Sequence, residues 1–176
     1  MKYLETVLIV LIVLYGIKVL KHIKEFMRDW ILNEFSIRLL TNKTDYKYIT
    51  ESFSDSYPQG LINSKCHFNA YNQAVRLVDT YKKDCEIVVC LCLARDDDNV
   101  FVHFINREVE TGEYFDITLG AYGHERFLYY KVASIEFDVY SRRMMKPENM
   151  LIRYKEQILK DNFNWFERLF VSVDDI

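Results

Sequence analysis

The sequence predicts an α+β fold: an antiparallel sheet packed on a helix that bears a cysteine, with an N-terminal helical extension and a C-terminal helix. Three observations lead there. Over residues 20–41 apolar side chains recur at spacings of three and four, and a second helix starts near Cys66 and runs to about Lys82. Between residues 86 and 140, short apolar runs alternate with turn clusters. Helical spacing returns after Pro147. The chain has 176 residues, 50% of them apolar, with 13 Tyr and 12 Phe, enough for one domain with a sizeable core plus an extension. Its 5 Gly and 2 Pro exclude collagen-like and linker-like architectures, and its net charge of -3 argues against a general nucleic-acid binder.

The charge is unevenly placed. Residues 1–28 carry Lys2, Lys18, Lys21, Lys24 and Arg28 against Glu5 and Glu25, so this segment holds +3 and the other 148 residues hold -6. Thr6 to Ile17 (TVLIVLIVLYGI) has no charge. Those residues cover about 18 Å of helix, but Met1 to Leu20, with Lys2 and Lys18 snorkelling, reaches about 30 Å, the thickness of a hydrocarbon core. The run is apolar all round, unlike the one-sided stripe of a surface helix. Its following cations place that flank in the cytoplasm and leave a short N-terminus outside. A cleaved signal peptide fits less well, because its basic end should come before the apolar run and no A-x-A site follows. The other reading is a buried helix or one that docks on a partner protein. Residues 1–41 are therefore expected to form a helical segment that anchors in a membrane through residues 1–20. The domain would occupy residues 42–176 on the cytoplasmic side of a single pass. In that reducing compartment Cys66, Cys85, Cys90 and Cys92 remain thiols.

Along the rest of the chain, Ile23, Phe26, Met27, Trp30, Ile31 and Phe35 extend the helix, and Thr41 to Thr44 breaks it. Asp45 to Phe53 reads as a short helix. Ser54 to Asn63, with Pro58 and Gly60, reads as a loop. A helix then runs from Cys66 to about Lys82, burying Ala70, Ala74, Leu77 and Val78. Glu86 to Ala94, Val100 to Arg107 and Glu113 to Thr118 read as three strands of a meander, joined by turns at Arg95 to Asn99 and Glu110 to Gly112. Gly120 and Gly123 mark a loop, and Phe127 to Tyr140 is one long strand or two. Pro147 opens the closing helix, with apolar spacing from Ile152 through Phe163, Trp165, Phe166 and Leu169.

Three residues stand in an order that chemistry can use. Cys66 lies where a loop becomes a helix, His103 lies mid-strand 37 residues later, and Asp116 follows after another 13. A helix N-terminus favours a thiolate over a thiol and offers N–H groups to an oxyanion. An imidazole can take the thiol proton and later protonate a leaving amine. A carboxylate can hold that imidazole in one tautomer. Hairpin-connected strands can set His103 beside Asp116, provided both face the cysteine helix.

This order on a helix-then-sheet plan resembles the papain-like superfamily, and its transglutaminase-like branch in particular. The residues concerned are Cys66-His67-Phe68-Asn69-Ala70, Val102-His103-Phe104 and Tyr114-Phe115-Asp116-Ile117-Thr118, the last like the family's Asp-x-Thr ending. The pattern is also similar to small phage and bacterial proteins with a C-H-x-N-A segment, and it covers about residues 58–120. There are departures: Ile105 stands where many relatives have Trp, and His67 follows the cysteine where papain-like peptidases have Trp. The resemblance implies an oxyanion-binding Gln before the cysteine. Gln59 is the candidate, with Asn63 its rival.

The expected function is a thiol-dependent hydrolase or acyl transferase (peptidase, amidase or transglutaminase-like) acting on a protein or peptide-like substrate, with no cofactor and no metal. The alternative is a non-catalytic membrane-associated or virion interaction protein on the same scaffold, meeting a partner through residues 1–41. Cys90 and Cys92, even with Cys85 and His67, lack the paired spacing of a zinc site. His67 faces away from its neighbour Cys66 and ranks below His103 as a base. Asn69 reads as structural, His124 as a Gly-flanked loop residue, and Arg95 to Asn99 as a solvated turn. The Tyr-rich stretch from Phe127 reads as sheet and core.

Overall fold

The computed structural model describes residues 2–51, 53–54, 61, 65–96, 99–138 and 146–176, without the side chains of 2–5, 8, 121, 122 and 124. The fold is α+β. Helix α1 spans Lys2–Leu40, α2 Cys66–Arg76, the short α3 Ala121–Arg126 and α4 Pro147–Asn162. The strands are β1 Lys47–Tyr48, β2 Cys85–Ala94, β3 Val100–Glu108, β4 Tyr114–Phe115 and β5 Phe127–Phe137. They form one sheet in the order β1-β5-β2-β3-β4, and every named strand pair is antiparallel.

The sheet is not a simple meander. β5 returns to pair with β2 on the side away from β3, in register from Cys85↔Phe137 to Ala94↔Phe127, with one irregularity at Val89/Cys90. The reason is burial. β2 is apolar at nearly every position and needs neighbours on both edges and cover on both faces. Its odd-numbered residues Ile87, Val89, Leu91 and Leu93 join Val102 and Phe104 of β3 beneath Ile31, Phe35 and Leu39 of α1, Ala70 and Ala74 of α2, and Met150 and Ile158 of α4. Its even-numbered residues Val88, Cys90 and Cys92 join Ile105, Tyr114 and Tyr129 on the other face, covered by Ile49 and Phe53.

That second cover corrects the helix expected over Asp45 to Phe53. The segment is extended: Lys47 and Tyr48 pair with β5, the Ile49 N–H donates to the Tyr129 carbonyl at 2.9 Å, and Phe53 bridges Tyr114. Ile49 and Phe53 have helical spacing, but the sheet edge offers their backbone better partners than an isolated turn would. The helix opened by Cys66 finishes as a π turn, Leu77–Tyr81, closed by Lys82 at φ +55°. The expected strand over Glu113 to Thr118 pairs only at Tyr114 and Phe115. The loop marked by Gly120 and Gly123 is α3, entered through Gly120 at φ +59°. The closing helix stops at Asn162 instead of running to Leu169, because Asn164 Oδ1 accepts the N–H groups of Phe166 and Glu167 and turns the chain. Residues 139 and 140 of the long expected strand lie outside the described residues.

The two ends of α1 have different surroundings. Ile31, Phe35 and Leu39 are core, whereas Ile9 to Leu14, Tyr15, Ile17 and Leu20 are each at least half exposed. Among the described residues no helix is long and apolar enough to cross a membrane. The side chains of residues 1–5 and 8 lie outside the described ones.

Candidate active site

The site is built from one strand, one turn, one neighbouring strand and one helix start. β3 carries His103. Strand alternation puts it with Phe101 and Ile105 on the face turned away from α2, opposite Cys90 in register. Past Phe115 the chain leaves the sheet, and Asp116 organises the turn. Its Oδ1 accepts the N–H groups of Thr118 and Leu119, both at 2.9 Å, and its carbonyl accepts the Gly120 N–H at 2.7 Å. Its Oδ2 is then aimed at His103 Nε2, 2.8 Å away. Tyr129 of β5 donates its hydroxyl to the same oxygen, also at 2.8 Å.

His103 and Asp116 therefore do not face the cysteine helix, as the sequence reading required. They project from the opposite side of the sheet, because residues 101, 103 and 105 alternate away from α2. The sulfur nonetheless lines the same pocket as the ring, and Cys66 is among the groups that raise the His103 pKa. They come together at the edge of β3. β4 pairs only with Asn106 and Arg107, so residues 100–105 have no described strand on that side. There the first turn of α2 is tied to the Asp116 turn by Asn69 Nδ2, which donates to Thr118 Oγ1 at 3.1 Å between buried side chains. One turn further along, Asn106 Nδ2 donates to the Ala70 carbonyl at 3.0 Å and fixes α2 against β3.

Both members of the imidazole–carboxylate pair are almost fully buried. Burial opposes charge on His103, but the carboxylate of Asp116, its hydrogen bond and Cys66 outweigh it and push the ring's pKa up to about 10. Burial likewise opposes charge on Asp116. The His103 charge and hydrogen bond, the Leu119 N–H and the Tyr129 hydroxyl hold its pKa below the ordinary value. Both directions describe a charged pair. Burial drives the Tyr129 hydroxyl far above its usual range, with the nearby Cys92 and Asp116 adding to it, so Tyr129 stays a donor.

The cysteines divide sharply. Cys85, Cys90 and Cys92 are buried, and desolvation raises all three, Cys85 to about 12. Cys66 is partly exposed and lines a pocket of about 310 Å³ with His103, Phe101, Val102, Thr118, Leu119, Leu151, Lys155 and Ile176. A larger hollow of about 580 Å³ adjoins it through Phe101, Lys155 and Ile176, and extends to Asp96 and Arg126. His67 lies elsewhere. It is buried against Phe68 and Phe104, its Nδ1 has no partner among the described residues, and burial lowers its pKa.

The structure thus pairs His103 with Asp116 and sets Cys66 on the same pocket as the ring. Gln59, Asn63, Asp97, Asp98 and the His124 side chain lie outside the described residues. Among the described residues no cluster of His, Cys, Asp or Glu could hold a metal ion. Sequence reading missed Tyr129, which it placed in the core, and the Asn69–Thr118 strut. Neither has a local signal, since each acts on a partner far away in the chain. Comparison of the chain with protein-family models, with curated proteins and with solved structures found no match.

Proposed function

We propose that this chain is a thiol-dependent hydrolase or acyl transferase of papain/transglutaminase type, working on a protein or peptide-like acyl donor. The observation that carries the reading is the imidazole–carboxylate pair of His103 and Asp116, with Cys66 lining the same pocket as the ring. Asp116 occupies Nε2, so Nδ1 is the nitrogen left for the sulfur. With His103 already charged, the Cys66 sulfur reacts as the thiolate partner of the imidazolium and adds to the acyl carbonyl. The N–H groups at the start of α2 face the developing oxyanion, with Gln59 a further candidate donor. His103 then gives its proton to the departing amine, leaving a thioester. Water or a second amine, deprotonated by His103, attacks the thioester and releases the sulfur. Asp116 and Tyr129 act through the ring: they fix its tautomer and favour its charged form when the thiolate appears.

Anchoring belongs to the same proposal. The exposed apolar half of α1 would hold the domain at a membrane as a single pass, with the domain in the cytoplasm. Support comes from its exposed side chains and from the cations that follow them.

The test is labelling by iodoacetamide at neutral pH. Cys66 should react faster than the thiol of the urea-unfolded chain, Cys66→Ala should abolish fast labelling, and His103→Ala should slow it in a protein that still folds. If Cys66 of the folded protein reacts no faster than the unfolded thiol, the catalytic reading falls and an interaction protein on the same scaffold remains.

A further inference from the structure

A second feature lies about one helix turn below the exposed apolar run, where the C-terminal segment packs beside α1. Lys21, Lys24, Glu25 and Arg28 of α1 line a groove of about 530 Å³ with Arg168, Leu169, Phe170, Val171, Ser172 and Asp175. Four cations meet three carboxylates there. Glu25 lies 3.8 Å from Lys21, and Arg28 is shared between Asp29 at 2.8 Å and Asp175 at 3.8 Å. Lys24 and Arg168 have no carboxylate partner among the described residues. The four cations outnumber these three carboxylates, on a chain whose net charge is -3.

Beside the cations stands an apolar projection. Trp165 is 73% exposed, Leu169 60% and Phe166 45%. Ring contacts connect it to the groove: Trp165 to Phe166 at 5.9 Å, and Phe166 to Phe170 at 5.3 Å. The turn that presents these residues is fixed by Asn164 and Glu167, so the exposure is built into the fold. Phe26 and Ile23 of α1 are exposed in the same stretch. A large aromatic set beside Lys and Arg matches the polar boundary of a bilayer, where rings sit at headgroup depth and cations meet anionic lipids.

We propose that Lys21, Lys24, Arg28 and Arg168 with Trp165, Phe166 and Leu169 form a second membrane contact, one that recognises an anionic lipid surface. It holds the domain down on the leaflet from which α1 emerges. The occupant is argued from charge complementarity and from continuity with the apolar half of α1. In that respect it rests on the anchored reading, but its chemistry is separate: the anchor takes any bilayer, whereas this face requires anionic headgroups. A domain docked in this way presents the Cys66 pocket at a fixed height, because Asp175 and Ile176 run from the groove to that pocket.

Trp165 reports the contact once Trp30→Phe makes it the single tryptophan of the chain. The full chain is mixed with brominated phosphatidylcholine vesicles, with or without phosphatidylserine, and both co-flotation and Trp165 quenching are read. Quenching only on the phosphatidylserine vesicles is the expected result. Lys24→Glu with Arg168→Glu should remove it while the circular dichroism stays unchanged. Removing a single cation should weaken the contact about fivefold, more at low salt than at high. If the chain co-floats with both vesicle types and Trp165 is quenched on neither, the proposal is overturned while the anchor stands, and the patch is left to a protein partner. Quenching that is equal on both overturns the anionic requirement. Co-flotation with the phosphatidylserine vesicles alone, with quenching, supports this face and refutes the anchor. No co-flotation with either refutes both.

Discussion

Replacing Gly123 by alanine should break the bond between Tyr129 and Asp116 without altering either residue. Gly123 lies in α3, and a Cβ placed there would collide with the Tyr129 hydroxyl. It would also come to 3.0 Å from Leu119 Cβ and 3.4 Å from Asp116 Oδ2. The hydroxyl must move, and its hydrogen bond to a buried carboxylate goes with it. Such a bond to a charged group is worth about 1.5–3 kcal/mol. Crowding against Leu119 adds about 1–3 kcal/mol, and the better helix propensity of alanine returns up to about 1 kcal/mol. Gly123→Ala should therefore cost about 1.5–6 kcal/mol. Tyr129→Phe removes the same bond and the atom in the way, for about 1.5–3 kcal/mol. The double variant loses the bond only once and has no hydroxyl to displace. Its cost should fall short of the sum of the singles by about 1.5–3 kcal/mol, in the range of coupling between touching residues. Urea midpoints at constant slope give the energies, and the alkylation rate of Cys66 reports the site, where all three variants should be slower. Additivity within about 0.5 kcal/mol, or a Gly123→Ala variant as stable as the parent, would refute the packing argument.

Two further outcomes follow from the same geometry. The His103–Asp116 pair makes its share of stability depend on pH. His103 is raised from its ordinary 6.5 to about 10, so its contribution is complete below 6.5 and fades as pH rises through about 10. Asp116 is depressed below its ordinary 3.8, so its contribution is present above 3.8 and fades as pH falls further. The stability gap between the parent and a His103→Gln/Asp116→Asn variant should be widest between pH 3.8 and 6.5; a gap that widens above pH 10 would reverse the assignment. Cutting the strut with Asn69→Ala, or from its other end with Thr118→Val, should cost about 1–3 kcal/mol. Either change should also slow Cys66 alkylation in the folded protein, and parental rates in both would show that the strut does not position the sulfur.

What the sequence made legible was whatever depends on near neighbours. The dense apolar run over residues 86–94 marks a central strand, because covering both faces leaves no polar alternation to preserve. Pro147 marks a helix start, and the Cys66 helix follows from Ala70, Ala74 and Leu77 on one face. Cys66, His103 and Asp116 were also singled out by their order in the chain, and the structure pairs the last two. What stayed hidden depends on partners distant in the chain. Asp45 to Phe53 has helical spacing and becomes extended because the sheet offers it an edge. Tyr129 reads as one more apolar strand residue, and nothing around it indicates the carboxylate it serves. Asn106 is a similar case: its amide ties β3 to the Ala70 carbonyl and contacts the Cys85 sulfur at 3.6 Å, a role fixed only when α2 lies on the sheet.

The unforeseen end of β4 is what allows the site to exist. Had the pairing of Asn106 with Phe115 continued, residue 118 would stand opposite His103 and its backbone would close the edge of β3. Asp116 would then sit opposite Ile105, diagonal to the ring at about 7–8 Å, too far for a hydrogen bond. Instead the carboxylate turns the chain with its own Oδ1, and this rotates Oδ2 to 2.8 Å from the imidazole. The same turn lifts Thr118 out of the strand and into the reach of Asn69. A sulfur carried on one side of the sheet and a ring carried on the other then line one pocket, over an edge that no described strand covers. The carboxylate that orients the imidazole thus also opens the edge at which Cys66 and His103 share a pocket. A substitution at Asp116 should therefore disturb both contacts of His103 together, where one at Tyr129 loosens only the carboxylate side.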